Sequence, residues 1–136
     1  MTAKPRAHVF LFYPRFWPKI LDGSKRQTIR PESKRRVAAG DLLDLRGWSD
    51  NPYRSRHVHL IVGLCVGVDH VSIEIRGLRL FIEIDGARIP RRDVLAFLRA
   101  DGFEDLEDFL RWWLEVRRAP RLFQGTRYRW NTLESP

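Results

Sequence analysis

The chain has 136 residues, 43% hydrophobic and 12% aromatic, with a single cysteine, Cys65. That is enough for one packed domain, residues 1–136, and it excludes a disulfide scaffold and a cysteine zinc knuckle; a lone thiol fits the cytoplasm. Lysine plus arginine total 25 against 17 acidic residues, a net of +8, and the longest apolar run, Leu60 to Val68, is too short to span a membrane. No apolar stretch follows the first six residues, so no signal peptide is expected.

His8 to Tyr13 is aromatic and β-branched and predicts a buried strand, ended by Pro14. Phe16 with Ile20, and Trp17 with Leu21, stand four apart. They predict a short helix with Pro18 in its first turn and Gly23 just past its end. Arg26 to Arg30 predicts a short strand, followed by a basic polar loop from Pro31 to Gly40. Asp41 to Arg46 predicts another strand, and Gly47 to Ser55 a loop holding Trp48 and Tyr53.

His57 to Val68 predicts a long strand. Val58, Leu60, Val62, Leu64, Val66 and Val68 share one face; Gly63, Cys65 and Gly67 share the other. Large residues backed by small ones suit a strongly curved barrel strand. Val71 to Ile75 and Leu78 to Ile84 alternate as further strands, with turns at Gly77 and Asp85-Gly86. Val94, Leu95 and Leu98 then predict one helix. Leu106, Phe109, Leu110, Trp113 and Leu114 predict a second, capped by Asp105 and separated from the first by Gly102. Phe123 to Trp130 predicts a last strand. The expected fold is α+β: a small barrel of five or six strands with a short N-terminal helix and a C-terminal helical pair packed outside.

The charge is uneven. Residues 1–60 are net +8, residues 61–116 net −4 and residues 117–136 net +4. If the two basic ends meet, they form a face that attracts polyanions, and arginine forks suit phosphate. An arginine-rich composition without a ligand has the same arithmetic. The densest polar cluster is Gly23-Ser-Lys25-Arg-Gln-Thr28-Ile-Arg30. A lysine against an apolar wall and other cations can serve as a base, and a nearby threonine hydroxyl as a nucleophile. Residue types alone also describe a basic hairpin with a solvated face. Asp101 ends a predicted helix, where a carboxylate opposes the helix dipole. It is either a functional group or a solvated aspartate.

The loop from Trp48 to Arg56 interleaves Trp48 and Tyr53 with Arg46, Arg54 and Arg56. Aromatics stack on bases and arginines hold phosphates, although such a loop can also be pinned to the barrel by its aromatics. Trp112 falls off the stripe of its helix, either for a partner or as part of a wider buried face. His57 and His59 share a strand face without a nearby cysteine or acidic partner, so no metal is expected. Cys65 reads as core.

The spacing Gly23-x-Lys25-x-x-Thr28-x-Arg30, followed by Gly40-Asp41 and by Asp101-Gly102-Phe103 ahead of a helix with Glu107 and Phe109, resembles the ASCH domain family. That family comprises small β-barrels related to the PUA RNA-binding domain. The resemblance covers most of the chain and implies an RNA- or nucleoside-binding domain that recognises a modified nucleobase in a basic cleft. It also implies a possible hydrolase: small bacterial members remove the acetyl group from N4-acetylcytidine, and others are described as ribonucleases. By that resemblance Lys25 is the proton acceptor and Thr28 the nucleophile, and Asp101 stands where the family has a glutamate proton donor. Sequence between Arg76 and Arg92 is extra relative to those amidohydrolases. The expected site gathers Lys25, Thr28 and Asp101 at one pocket mouth. Arg30, Trp48, Tyr53, Arg54 and Ser55 are the substrate-binding candidates. No cofactor, no metal and no membrane partner is expected.

Overall fold

The computed structural model describes residues 6–48 and 56–133. The fold is mixed α+β. Its described strands are β1 (Ala7–Phe12), β2 (Gln27–Pro31), β3 (Leu42–Trp48), β4 (His57–Arg76), β5 (Arg79–Ile84), β6 (Ala87–Arg88) and β7 (Leu122–Thr132). The helices are α1 (Trp17–Asp22), α2 (Arg91–Ala100) and α3 (Leu106–Leu110). The hydrogen-bonded strand order is β1-β3-β4-β5-β6, and β7 pairs with both β2 and β4. This is one strand more than the upper end of the expected range. The chain clusters into two compact units. The first takes Met1–Arg26, Arg35–Val68 and Arg129–Pro136; the second takes Gln27–Lys34 and Asp69–Tyr128. No helix among the described residues is long and apolar enough to cross a membrane.

In the first unit, β1 runs parallel to β3 from Ala7↔Leu42 to Phe12↔Gly47. Parallel neighbours need a crossover connection, and α1 lies in it. A 3-10 turn over Pro14–Phe16 leads into α1, which buries Ile20 and leaves Leu21 exposed. Gly23 ends the helix in the left-handed conformation at φ 84°, the role its position in the sequence predicts. Phe10, Phe12, Phe16, Leu43, Leu45 and Trp130 complete the buried centre.

Strand β4 departs from expectation in two ways. It is continuous over 20 residues, with no break between Val68 and Val71. Its large valines also face the wrong way for the predicted packing. Val66 and Val68 are exposed, whereas Ile61, Gly63 and Cys65 are buried. The cause is a bulge: the β3–β4 register slips between Leu45↔Ile61 and Arg46↔His59. One extra residue reverses every side chain beyond it. The small residues then leave room for partners from β7. A Cβ on Gly63 would meet Trp130 at 3.0 Å, and one on Gly67 would collide with the Arg129 guanidinium.

In the second unit, β4 pairs with β5 from Val71↔Ile84 to Arg76↔Arg79. Val71, Ile73, Ile75 and Ile82 are buried on one face. The predicted turns at Gly77 and Asp85-Gly86 are present. Helix α2 buries Phe97 and Leu98 and leaves Leu95 exposed, so its inner face is shifted from the predicted stripe. The Asp105 side chain accepts from the Asp108 N–H at 2.8 Å and caps α3, as expected. Beyond α3, Arg111–Val116 winds as a π-helix, a rarer and wider turn. Phe109 stacks on Trp113 at 5.2 Å, and Phe123 meets Trp113 edge-on at 4.9 Å. Trp112 is half-buried.

Candidate functional site

Among the described residues, four polar or charged side chains are fully buried: Lys25, Gln27, Thr28 and Asp101, each 3–5% exposed. Three of the four are the residues that the motif spacing singles out. Burying a charge or an amide is costly unless it is compensated, so this concentration is informative in itself.

Lys25 belongs to the first unit. The left-handed turn at Gly23 carries the chain back, and the Ser24 N–H bonds Asp22 Oδ1 at 2.8 Å. The Lys25 N–H then bonds the Lys19 carbonyl at 3.0 Å. This turn fixes the lysine backbone. Its Nζ lies 4.8 Å from the Phe16 ring centroid and 5.5 Å from that of Phe12. Aromatic faces favour the ammonium, while burial opposes it. The apolar wall expected beside Lys25 is therefore built from these two rings.

Thr28 and Arg30 belong to the second unit and share one face of β2. Arg30 Nε donates to Thr28 Oγ1 at 3.0 Å. A guanidinium on a hydroxyl oxygen stabilises negative charge there. Gln27 occupies the other face, since successive strand side chains alternate. Its Oε1 accepts from Arg127 Nη1 at 3.3 Å, and Arg127 is clamped to Asp69 Oδ2 through Nη2 at 2.7 Å and Nε at 2.9 Å. Arg127 also lies over the Phe97 ring at 5.5 Å.

Asp101 follows α2 and keeps helical φ and ψ, with Gly102 after it at φ 99°. It is buried, which removes the solvated-aspartate reading. Arg117, which the sequence did not single out, is its electrostatic partner within the second unit. Burial pushes the Arg117 guanidinium below its ordinary value, and the Asp101 carboxylate opposes that shift only in part. Arg117 stacks over Trp113 at 4.3 Å and Phe123 at 5.2 Å, and its Nη1 donates to the Ile29 carbonyl at 3.3 Å. It thus ties the middle of β2, between Thr28 and Arg30, to the same guanidinium that answers Asp101.

Trp48 lies on β3 rather than in the following loop. It is buried and meets Tyr13 edge-on at 5.4 Å. Gly47 beside it admits the Trp17 indole, which a Cβ would displace. Tyr53, Arg54 and Ser55 lie outside the described residues. Arg46, the last residue of the predicted strand Asp41 to Arg46, lies on β3 as expected and pairs with Asp44 at 2.6 Å. The same carboxylate meets His59 Nδ1 at 3.1 Å, so His59 does have an acidic partner, brought to it by the β3–β4 pairing. No cluster of three metal-ligating side chains occurs among the described residues.

Gln27 and Arg117 are the functional candidates the sequence reading missed. An amide inside a strand that otherwise reads as basic was the available signal for Gln27. Arg117 carried none, because its neighbours in space come from β2, β7 and the region after α2. Compared with family models, characterised proteins and solved structures, the chain matches none.

Proposed function

We propose that this chain is an ASCH-type module that binds RNA or a modified nucleoside, with the nucleobase recognised by side chains of the Gly23–Arg30 segment. The observation that carries this reading is the burial of Lys25, Thr28 and Asp101. A merely basic, solvated hairpin would leave these groups in water. A set of buried polar side chains is how a protein discriminates a base by hydrogen bonding, because a ligand lacking the right groups leaves them unsatisfied. The net charge of +8 favours a polyanionic partner.

A second reading, removal of the acetyl group from N4-acetylcytidine, is favoured by one observation, the Arg30–Thr28 hydrogen bond. It would stabilise an alkoxide on Thr28 and make that oxygen a better nucleophile. The proton acceptor that the resemblance implies is Lys25. Asp101 is one methylene shorter than the glutamate that serves as proton donor in the family this chain resembles. That weakens the acid role and leaves binding as the better-supported function. The test is calorimetric titration of N4-acetylcytidine and cytidine into the protein, followed by incubation and product analysis. Binding without turnover supports the module; acetate release supports the hydrolase; neither one refutes both.

A further inference from the structure

Across the antiparallel pairs of β4, β5 and β6, Ser72↔Glu83, Glu74↔Phe81, Arg76↔Arg79 and Glu83↔Arg88 stand opposite one another. Directly opposed residues share a sheet face. The other face holds the buried Val71, Ile73, Ile75 and Ile82, so this one faces outward. Alternation calls for polar residues here, yet Phe81 sits at its centre, half-buried. The Arg76 and Arg88 guanidiniums lie 5.1 and 4.9 Å from its ring centroid. Glu74 pairs with Arg76 at 3.0 Å, and the Arg76 hydrogen bond with the Arg76 and Arg88 charges holds its carboxyl below the ordinary value; Arg79 has no ion pair among the described residues.

The local charge reverses that of its surroundings. Residues 61–116 are net −4, but residues 76–92 hold five arginines against Glu83 and Asp85, a net of +3. The Ile89 N–H bonds the Ile82 carbonyl, which keeps the chain beside β5 until just before the exposed Arg91 and Arg92. This is also the stretch that is extra relative to the small amidohydrolases.

We propose that the outward face of β4, β5 and β6, centred on Phe81 and flanked by Arg79 and Arg88, docks single-stranded RNA. The proposal rests on the RNA-binding reading above and adds a second contact region. Guanidinium planes held over an aromatic ring offer a base a flat surface to stack on, and the arginines hold the adjoining phosphates. The face carries Arg76, Arg79 and Arg88 against Glu74 and Glu83, and this arginine excess favours a polyanion over an apolar partner.

The test is fluorescence anisotropy of a labelled uridine 12-mer across salt concentrations, using the full chain. Phe81→Leu should weaken binding about tenfold. Arg79→Gln with Arg88→Gln should flatten the salt slope by about 1.4, two phosphate contacts on a single strand. Thermal melts establish that both variants are folded, and both should bind free N4-acetylcytidine as the wild type does. Unchanged RNA affinity and slope in both folded variants would overturn this surface while leaving the base site standing. A wild type that binds no RNA at low salt would overturn the RNA reading and this surface with it. Equal competition by poly-glutamate at matched charge would also overturn it, in favour of an acidic protein partner.

Discussion

Arg30 donates to Thr28 across two positions of β2, Nε to Oγ1 at 3.0 Å. The bond orients the hydroxyl and leaves its own proton for a different acceptor. Under the amidohydrolase reading, Arg30→Leu should lower kcat by about 10- to 100-fold, as for loss of one charge-stabilising donor. Thr28→Ser should keep measurable activity and Thr28→Val should have none. Single-turnover release of acetate from N4-acetylcytidine reads this. Equal rates for Arg30→Leu and wild type would remove Arg30 from the chemistry.

Asp101 and Arg117 are expected to behave as a coupled pair. Burial costs the guanidinium and the carboxylate offsets part of that cost. Asp101→Asn and Arg117→Gln should each destabilise the fold by about 1–3 kcal/mol. The double variant should lose less than the sum, with a coupling of about 0.5–3 kcal/mol. Urea melts of the four proteins measure it; additivity would mean that the two charges act independently.

The reversal of β4 makes a separate prediction. Gly63→Val should destabilise by about 1–3 kcal/mol, because the new side chain must displace Trp130. Val66→Thr, on the exposed face, should stay within about 0.5 kcal/mol. The opposite ranking in denaturant melts would restore the face predicted from the valines.

That reversal shows where sequence reasoning stops. Alternation alone places six large residues on one face of His57 to Val68, and it cannot register a bulge set by pairing with β3. Nor can it foresee that Trp130, far along the chain, needs the space above Gly63. The signals carried within a few residues were legible: Gly23 after α1, Asp105 ahead of α3 and the turn at Gly77. So were Lys25, Thr28 and Asp101 as unusual polar residues, although the same sequence left open whether they were buried. Trp48 was misplaced because Gly47 reads as a loop residue, whereas in the fold it is the gap that admits Trp17. Arg117 was missed because its importance comes only from long-range packing.

Acid should weaken the fold through Asp41 and Asp44. Hydrogen bonding by the Ala38 N–H and then by His8 holds the Asp41 carboxyl below its ordinary value. Arg46, then His59, does the same for Asp44. For a depressed carboxyl the stabilisation is complete above the unfolded-state value of 3.8 and is lost as pH falls through the lower folded-state value. Melting temperatures should therefore drop between about pH 4 and pH 2, and the drop should shrink in Asp41→Asn and Asp44→Asn. An unchanged acid limb in both variants would assign acid lability to other groups.

If the Gly23–Arg30 segment, in which Lys25, Gln27 and Thr28 are buried, recognises a nucleobase, removing the Lys25 charge must weaken binding. Lys25→Met fills a similar volume without the charge, so it avoids an empty cavity beside Phe12 and Phe16. Calorimetric titration of N4-acetylcytidine should give saturable binding to the wild type and at least about a tenfold loss in the folded Lys25→Met protein, as expected for a hydrogen bond to a charged group. Equal affinity in the two proteins, or no binding by the wild type to nucleoside or RNA, would contradict nucleobase recognition by this segment.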